Sequence, residues 1–445
     1  MVTRKKRRIA AVPEQPSGSL ALQMPPEKAE PASMGNVLMM VVPMLGSTGV
    51  MIFMAMQNNG GGRSMLMGGG MLVAMLGMVG FNMYRQFSQY RTRVKTQRRE
   101  YLSYLAETRE SIRKVAKKQR AYYNWVYPDP DALVTLAANG SRLWSREGNT
   151  YNVLTFRYGS GTQPLGLTFE RPPIDPMTEM DVVCLSAMER FIAVHDHTDN
   201  VGKFLYLGDF SHIEVVGEGE SAYDEMRAIM MHLACFIEPS KLKIAVLCSA
   251  DRLGDWEWVK WMPQARSANV RDAIGPARMI STDPRELVEM IGPDIAMRGA
   301  YRPGEEMPEW PHLLLVCDGA EFPTSSPFGS MAGVRGVTIM SRAREWTPMK
   351  SHTALRLVIH PSPDRKGSDV VDVVTMDSVP ESAFADRLTA VQAEAVARRM
   401  TPFATQEKLE ESDTPVGHSD ESRQKDLMEL VGIGDIRDFD PEKQW

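Results

Sequence analysis

The sequence predicts an α/β protein in three parts: a hairpin of two transmembrane helices, a long helical stalk, and a body with a mainly parallel sheet. Three observations lead to this prediction. Two uncharged stretches of 20 and 21 residues lie near the start of the chain. A run without glycine or proline follows them. Beyond residue 130, short apolar runs alternate with helical patterns, as in strand–helix–strand units.

The uncharged stretches, 37–56 and 64–84, predict two membrane-spanning helices. A bilayer core of roughly 30 Å needs about 20 apolar residues in helical form, so each stretch is long enough. Seven residues separate them, which allows only a tight hairpin. Basic residues concentrate at 4–8 and at 85–120, so both termini are expected to face the cytoplasm. The predicted localisation is therefore the inner (plasma) membrane, as a multi-pass protein with two spans.

The segment after the hairpin predicts a long basic helix, the stalk. Residues 1–125 hold 19 Lys and Arg against 6 Asp and Glu, whereas the other 320 residues hold 32 against 50. Apolar residues recur at multiples of seven from Phe87 to Tyr122, which is typical of a helix with a partner-facing seam. The alternative is a helix packed on its own domain. The Pro128 to Pro130 segment ends the stalk.

The body predicts an α/β domain because its strands are nearly continuous apolar runs. The expected strands are 152–157, 204–207, 213–216, 242–248, 312–317, 336–340, 355–359 and 370–376, and the expected helices are 221–236, 284–291 and 381–400. The four cysteines lie inside apolar runs without CxxC spacing, which favours reduced core residues over disulfides or a metal site.

A degenerate nucleotide site is predicted where one strand runs into a glycine loop and a helix. The loop carries Gly217, Gly219 and Ser221 but no lysine, and two glutamates stand where phosphates would bind. About a hundred residues later, an apolar strand ends at Asp318 like a Walker-B strand, and glycine follows in place of the usual glutamate. These four residues are the candidate cofactor-binding residues, and no catalytic or metal-binding residue is predicted.

The chain resembles EccC, the FtsK/SpoIIIE-like coupling ATPase of type VII secretion systems. The resemblance rests on the hairpin, on REYLSYLAETR and YPDPDAL, on SRLWSR, on GDWEWVKWMPQ, and on the closing LMELVGIGDIRDFDPEKQW. It implies a P-loop-ATPase-like fold with a degenerate site. In the family, GIGDIRDFDP leads into the first of three ATPase modules, so we expect this chain to be a fragment, a split gene product or a truncation.

The resemblance implies a membrane-anchoring and assembly portion of a translocation ATPase, which couples downstream motor modules to the membrane complex for protein export. The alternatives are an active ATP-binding protein and a DNA-translocating one. The expected partners are sister membrane components, further copies of the chain up to a hexamer, and a separate FtsK/SpoIIIE ATPase chain, but not nucleic acid. No cofactor is expected unless the degenerate site still binds ATP and Mg²⁺. The expected parts are a tail (1–35), hairpin (36–84), stalk (85–127), ATPase-like domain (128–400) and linker with lead-in (401–445).

Overall fold

The computed structural model describes residues 12–29, 63–146, 151–273, 275–304, 310–343, 349 and 351–403, with scattered positions from 39 to 57. Its helices are α1 (Arg63–Val126), α2 (Pro130–Asn139), α3 (Val182–His195), α4 (Ser221–Phe236), α5 (Leu253–Trp256), α6 (Pro284–Ile291), α7 (Pro293–Ala296) and α8 (Ala390–Met400). Its strands are β1 (Gly18–Ala21), β2 (Thr155–Pro164), β3 (Leu167–Glu170), β4 (His197–Tyr206), β5 (His212–Gly217), β6 (Leu242–Cys248), β7 (Arg266–Arg271), β8 (Pro276–Arg278), β9 (Ile280–Ser281), β10 (His312–Asp318), β11 (Val337–Ala343), β12 (Ala354–Pro361), β13 (Asp369–Val374) and β14 (Glu381–Ala385).

A ten-stranded mixed sheet organises the body, in the order β4-β2-β14-β13-β12-β5-β11-β10-β6-β9. Strands β12, β5, β11, β10, β6 and β9 pair in parallel, and the pairs from β12 back to β4 are antiparallel. The α/β class is confirmed, but the prediction of a mainly parallel sheet is wrong for one half. The short connections from β12 to β13 and from β13 to β14 permit only antiparallel pairing.

The parallel strands are buried on both faces. Along β10, Leu314 and Val316 pack in a core that includes α4 and α8, while Leu313 and Leu315 pack in a second core with α6 and α7. Successive side chains of a strand point to opposite faces, so this alternation places helices on both sides of the sheet. The carboxyl edge of these strands carries the glycine loop.

Helix α4 lies at the centre of the body, because every residue from Ala222 to Phe236 is buried. A helix that is covered on all sides must satisfy its charged side chains internally. Asp224, Glu225 and Arg227 are such residues. The beginning of α4 is therefore both the continuation of the glycine loop and part of the core.

Helix α1 is one continuous element that includes the predicted stalk. At 1.5 Å per residue, 64 residues span about 96 Å. From Tyr101 onward the helix packs on its own body, since Leu105 and Ile112 share a buried cluster with Met188 and Phe191 of α3. The alternative of a helix packed on its own domain is therefore correct over this part.

The prediction of a transmembrane hairpin is wrong. In the part of the chain that the structure describes, no helix has both the length and the apolar character that crossing a bilayer requires. The predicted second span, 64–84, lies at the beginning of α1, and charged residues follow in the same helix from Arg85. The prediction of a two-span plasma-membrane protein with both termini in the cytoplasm fails with it. The linker between the spans lies mostly outside the described residues.

Candidate functional site: a filled nucleotide loop

All four predicted site residues lie at the carboxyl edge of the parallel strands. Gly217 ends β5, Gly219 has a left-handed φ of 58°, and Ser221 begins α4. Asp318 ends β10, and one strand, β11, separates β5 from β10 in the sheet. The structure therefore places the loop and the acid at one edge, where ligands of α/β sheets usually bind.

Asp318 is almost completely buried, with 1% of its surface exposed. Its Oδ1 accepts a hydrogen bond from the Tyr223 hydroxyl at 3.2 Å. Its Oδ2 accepts from the Trp256 indole at 2.9 Å and from Arg252 Nε at 3.2 Å. Protein donors thus occupy both oxygens of the carboxylate that would help to hold Mg²⁺ in a working Walker-B strand.

Tyr223 is the central residue that the sequence reasoning missed. When GxxxxGK[ST] is counted from Gly217, Ala222 stands at the second glycine, Tyr223 at the lysine and Asp224 at the hydroxyl residue. The sequence signal for this residue is the length of the segment from Gly217 to Asp224, which equals that of GxxxxGK[ST]. A buried phenol therefore replaces the ammonium group that would bind the β- and γ-phosphates.

Two guanidinium groups flank the Tyr223 ring. Arg252 Cζ lies 4.4 Å from the ring centroid and Arg342 Cζ lies 4.6 Å from it, both within the range of cation–π contacts. Burial, and then the Asp318 carboxylate, raises the pKa of the Tyr223 hydroxyl, so this group stays protonated and donates. The Tyr223 side chain is thereby held beside Asp318 by one hydrogen bond and two cation–π contacts.

The glycine loop itself is bound to neighbouring elements. Arg342 Nη2 donates to the Gly217 carbonyl at 3.1 Å, and Ser221 Oγ donates to Asp369 Oδ2 at 2.7 Å. Arg227 Nη2 donates to Glu220 Oε2 at 3.0 Å. The polar groups that could cradle a phosphate are therefore partly committed to the protein.

ATP and Mg²⁺ do not fit these residues. The phosphate-binding lysine is a tyrosine that hydrogen-bonds Asp318, and the Mg²⁺-binding hydroxyl is replaced by Asp224, which is itself hydrogen-bonded by Arg227. Within the described residues, no group of three His, Cys, Asp or Glu side chains is placed to hold a metal ion. The four cysteines are free and buried.

Comparison with known proteins finds relatives among secretion-system proteins. It is 29% identical over its whole length to the ESX secretion system protein EccC of Thermomonospora curvata, of which it covers 33%. It is 33% identical over 56% of its length to the ESX-3 protein EccC3 of Mycobacterium tuberculosis, of which it covers 18%. The chain is a homologue of the EccC proteins. It spans about a third of the length of the Thermomonospora relative, and no family model matches it.

Solved EccC structures show only a distant likeness. The ATPases 2 and 3 of Thermomonospora curvata EccC, in complex with a signal sequence peptide, match 47% of this chain and 45% of that chain with a TM-score of 0.34 and 12% identity. The cytoplasmic domain of the type VII secretion ATPase EccC from the same organism matches 42% of this chain and 25% of that chain, with a TM-score of 0.29 and 14% identity. The sequence relation to EccC therefore rests on the full-length comparison.

Proposed function

We propose that this chain is a non-hydrolysing, ATPase-like module of an ESX-type secretion component, and that it acts by contact with other chains. One observation carries the proposal: Tyr223, which stands at the lysine position, hydrogen-bonds Asp318 and fills the nucleotide loop. A site in this state has the scaffold of an ATPase without its phosphate-binding groups.

Phosphoryl transfer depends on positioning and charge, and the missing groups are the ones that supply both. P-loop enzymes use a lysine on the β/γ-phosphates, a hydroxyl and an acid on Mg²⁺, and a residue that orients water. Here Tyr223, Asp224 and Gly319 occupy the corresponding positions for lysine, hydroxyl and the water-orienting glutamate. Glu218 adds negative charge to the loop. Each change disfavours bound triphosphate, and none compensates for another.

A contact role agrees with the relatives and with the shape of α1. The relatives are components of ESX secretion systems, which are assemblies of several proteins. Helix α1 projects from the body, and the described side chains from Phe81 to Phe87 include exposed aromatic rings. The proposed partners are other components of the secretion complex, further copies of this chain, and a chain that carries FtsK/SpoIIIE-type ATPase modules.

The hydrolysis part of the proposal is tested by steady-state ATP turnover of the full chain. We expect phosphate release at the rate of the buffer blank, for wild type and for Asp318→Asn alike. A Mg²⁺-dependent turnover that falls at least tenfold in Asp318→Asn would show a working site and refute the proposal. Circular dichroism of both proteins controls for folding.

A further inference from the structure

A second cavity opens on the same edge of the sheet, over its antiparallel half. Its volume is about 580 Å³, and it lies between the β2–β4 pair, the end of β14 and the loop from β12 to β13. Neither Tyr223 nor Asp318 lines it. We call it the Arg365 cleft. The side chains used below are Ser160, Thr162, Asn200, Arg365, Phe384 and Arg387.

The wall of the Arg365 cleft contains an irregularity of the sheet. The register between β2 and β4 shifts between Gly161 and Gln163, which leaves Thr162 opposite a bulge. In that bulge Asn200 adopts a left-handed φ of 57°. Bulges and strained non-glycine residues concentrate where a sheet presents side chains to a ligand. The backbone therefore departs from regular strand geometry where β2 and β4 line the cleft.

The acidic side chains of the cleft are already hydrogen-bonded. Thr162 Oγ1 donates to Asp199 Oδ1 at 3.0 Å, and Ser221 Oγ donates to Asp369 Oδ2 at 2.7 Å. Arg365, by contrast, forms no ion pair within the described residues, and its guanidinium lies 5.8 Å from the centroid of the Phe384 ring. Arg365 is therefore a cation of the cleft without a carboxylate partner among the described residues.

A second cation and an aromatic surface lie beside Arg365. Arg387 Nη1 donates to the Gly367 carbonyl at 3.4 Å, while its Nε is 3.8 Å from Asp224 Oδ2, a distance that leaves donors available. Phe384 is an aromatic residue with 40% of its surface exposed. Guanidinium groups bind oxyanions in bidentate geometry, and an exposed ring offers a face for stacking.

We propose that the Arg365 cleft binds a phosphate-bearing small molecule with a planar ring, of about the size of a mononucleotide. Arg365 and Arg387 hold the phosphate, the Ser160 and Thr162 hydroxyls lie beside it, and the ring stacks on Phe384. The volume lies within the roughly 300–1,000 Å³ of small-molecule sites. The proposal goes beyond the contact role, because it assigns a small-molecule site to residues other than those that fill the glycine loop. The two regions meet where Ser221 donates to Asp369.

Isothermal titration calorimetry of the full chain tests the cleft with three probes: ADP, inorganic phosphate and adenosine. We expect ADP to bind most tightly, inorganic phosphate at least tenfold more weakly, and adenosine without measurable heat. Arg365→Gln is expected to weaken ADP binding at least tenfold, because the uncommitted cation is lost. Arg302→Gln, an exposed arginine outside the cleft, is the matched control and should leave the affinity unchanged.

Three results would overturn the Arg365 site: no heat with ADP at millimolar concentration, equal binding of adenosine and ADP, or an unchanged ADP affinity in Arg365→Gln. Arg365 lies on an exposed loop, so its replacement should not unfold the chain. Failure here is separate from failure of the proposed function, because the turnover assay tests Asp318 in the glycine loop and the calorimetry tests Arg365.

Discussion

Glu225 lies in the middle of α4 with none of its surface exposed, and neither carboxylate oxygen accepts a hydrogen bond of ordinary geometry among the described residues. Its neighbours are Asp386 and Asp224, with Arg157 as the nearby cation. Arg157 is already engaged by Asp386, through Nε at 2.8 Å and Nη2 at 2.9 Å. The guanidinium of Arg157 is thus engaged by Asp386, and Glu225 has no such ion pair among the described residues.

Burial, and then the Asp386 carboxylate, raises the pKa of Glu225 well above its usual 4.5. The folded protein therefore holds a proton that the unfolded chain releases above pH 4.5. Stability contributed by this group is present at low pH and is lost as the pH rises toward the folded pKa. Burial likewise raises the pKa of Asp386, to about 6, so this second acid also lowers stability as the pH rises from its usual pKa toward about 6.

We expect Glu225→Gln to be more stable than wild type above pH 6 and to have a flatter stability–pH profile there. The amide keeps the shape of the protonated acid and cannot ionise. The steepest slope that one titrating group can give is about 1.4 kcal/mol per pH unit. Urea denaturation at pH 6, 7 and 8 measures the difference. A wild-type profile as flat as that of Glu225→Gln would show that Glu225 is ionised in the folded state.

At this scale the sequence indicated some contacts and could not indicate others. Counting from Gly217 places Tyr223 at the lysine position, so its place in the loop can be predicted from the sequence. Its partners cannot, because Trp256 and Arg252 lie more than sixty residues before Asp318 and meet it only through the fold. The hydrophobic periodicity of a sequence does not show which acidic side chains will be buried, so the burial of Glu225 could not be predicted.

Three guanidinium groups donate to the last two carbonyls of α1 and to that of Tyr127, which follows the helix. Arg142 donates to the Trp125 carbonyl, Arg146 Nη2 to Val126 at 3.1 Å, and Arg157 Nη1 to Tyr127 at 2.9 Å. The carbonyls at a helix C-terminus lack intrahelical donors and carry partial negative charge, so cations are stabilising there. The end of the long helix is thus hydrogen-bonded to the body.

Arg146 is the most enclosed of the three, and burial lowers its pKa to about 10, which leaves it charged at neutral pH. It also donates to the Thr155 carbonyl. We expect Arg146→Met to reduce the free energy of unfolding by roughly 2 to 4 kcal/mol, because two buried acceptors lose their donor. Urea denaturation measures the loss. Arg113→Met on the exposed face of α1 is the control, with an expected change under about 0.5 kcal/mol. An equal effect of both substitutions would show that the hydrogen bonds of Arg146 to Val126 and Thr155 do not stabilise the fold.

Most elements of the body followed from the sequence because their signals are local. Strand β6, helix α4 and helix α6 have the predicted bounds, and Asp283 caps α6 by accepting from the Arg285 amide. The predicted helix 381–400 is strand over its first five residues, since 381–385 pairs with β13 as β14, and it is helical from Ala390 as α8. Helix α3 was missed because its apolar residues occur around nearly the whole helix.

For the whole molecule, the long-range arrangement was the part that sequence reasoning could not give. The run of parallel strands was indicated, but the antiparallel half depends on turns that join β12 to β14, and these carry weak signals. The hairpin was predicted from the length of two uncharged stretches and from the basic residues that flank them. The relation to EccC was found from dispersed segments and is confirmed by identity over the whole chain.

The charge split of the chain now has a partial structural account. Some stalk cations pair with the body, as Arg98 does with Asp181 at 2.8 Å, while others on α1, such as Arg91 and Arg99, remain exposed. The acidic residues of the body include those that engage the arginines around the glycine loop. The basic helix α1 and the acidic body thus form an ion pair at the beginning of α3, between Arg98 and Asp181.

Hydrogen–deuterium exchange of the full chain, with and without ATP and Mg²⁺, tests the closed loop most directly. The account predicts that amides of residues 217–223 exchange at the same rate in both conditions, because Tyr223 already occupies the lysine position and hydrogen-bonds Asp318. Protection confined to 365–369 would agree with the separate Arg365 cleft. Protection of residues 217–223 by ATP and Mg²⁺ would contradict the account, since it would place the nucleotide in the loop that Tyr223 is held to close.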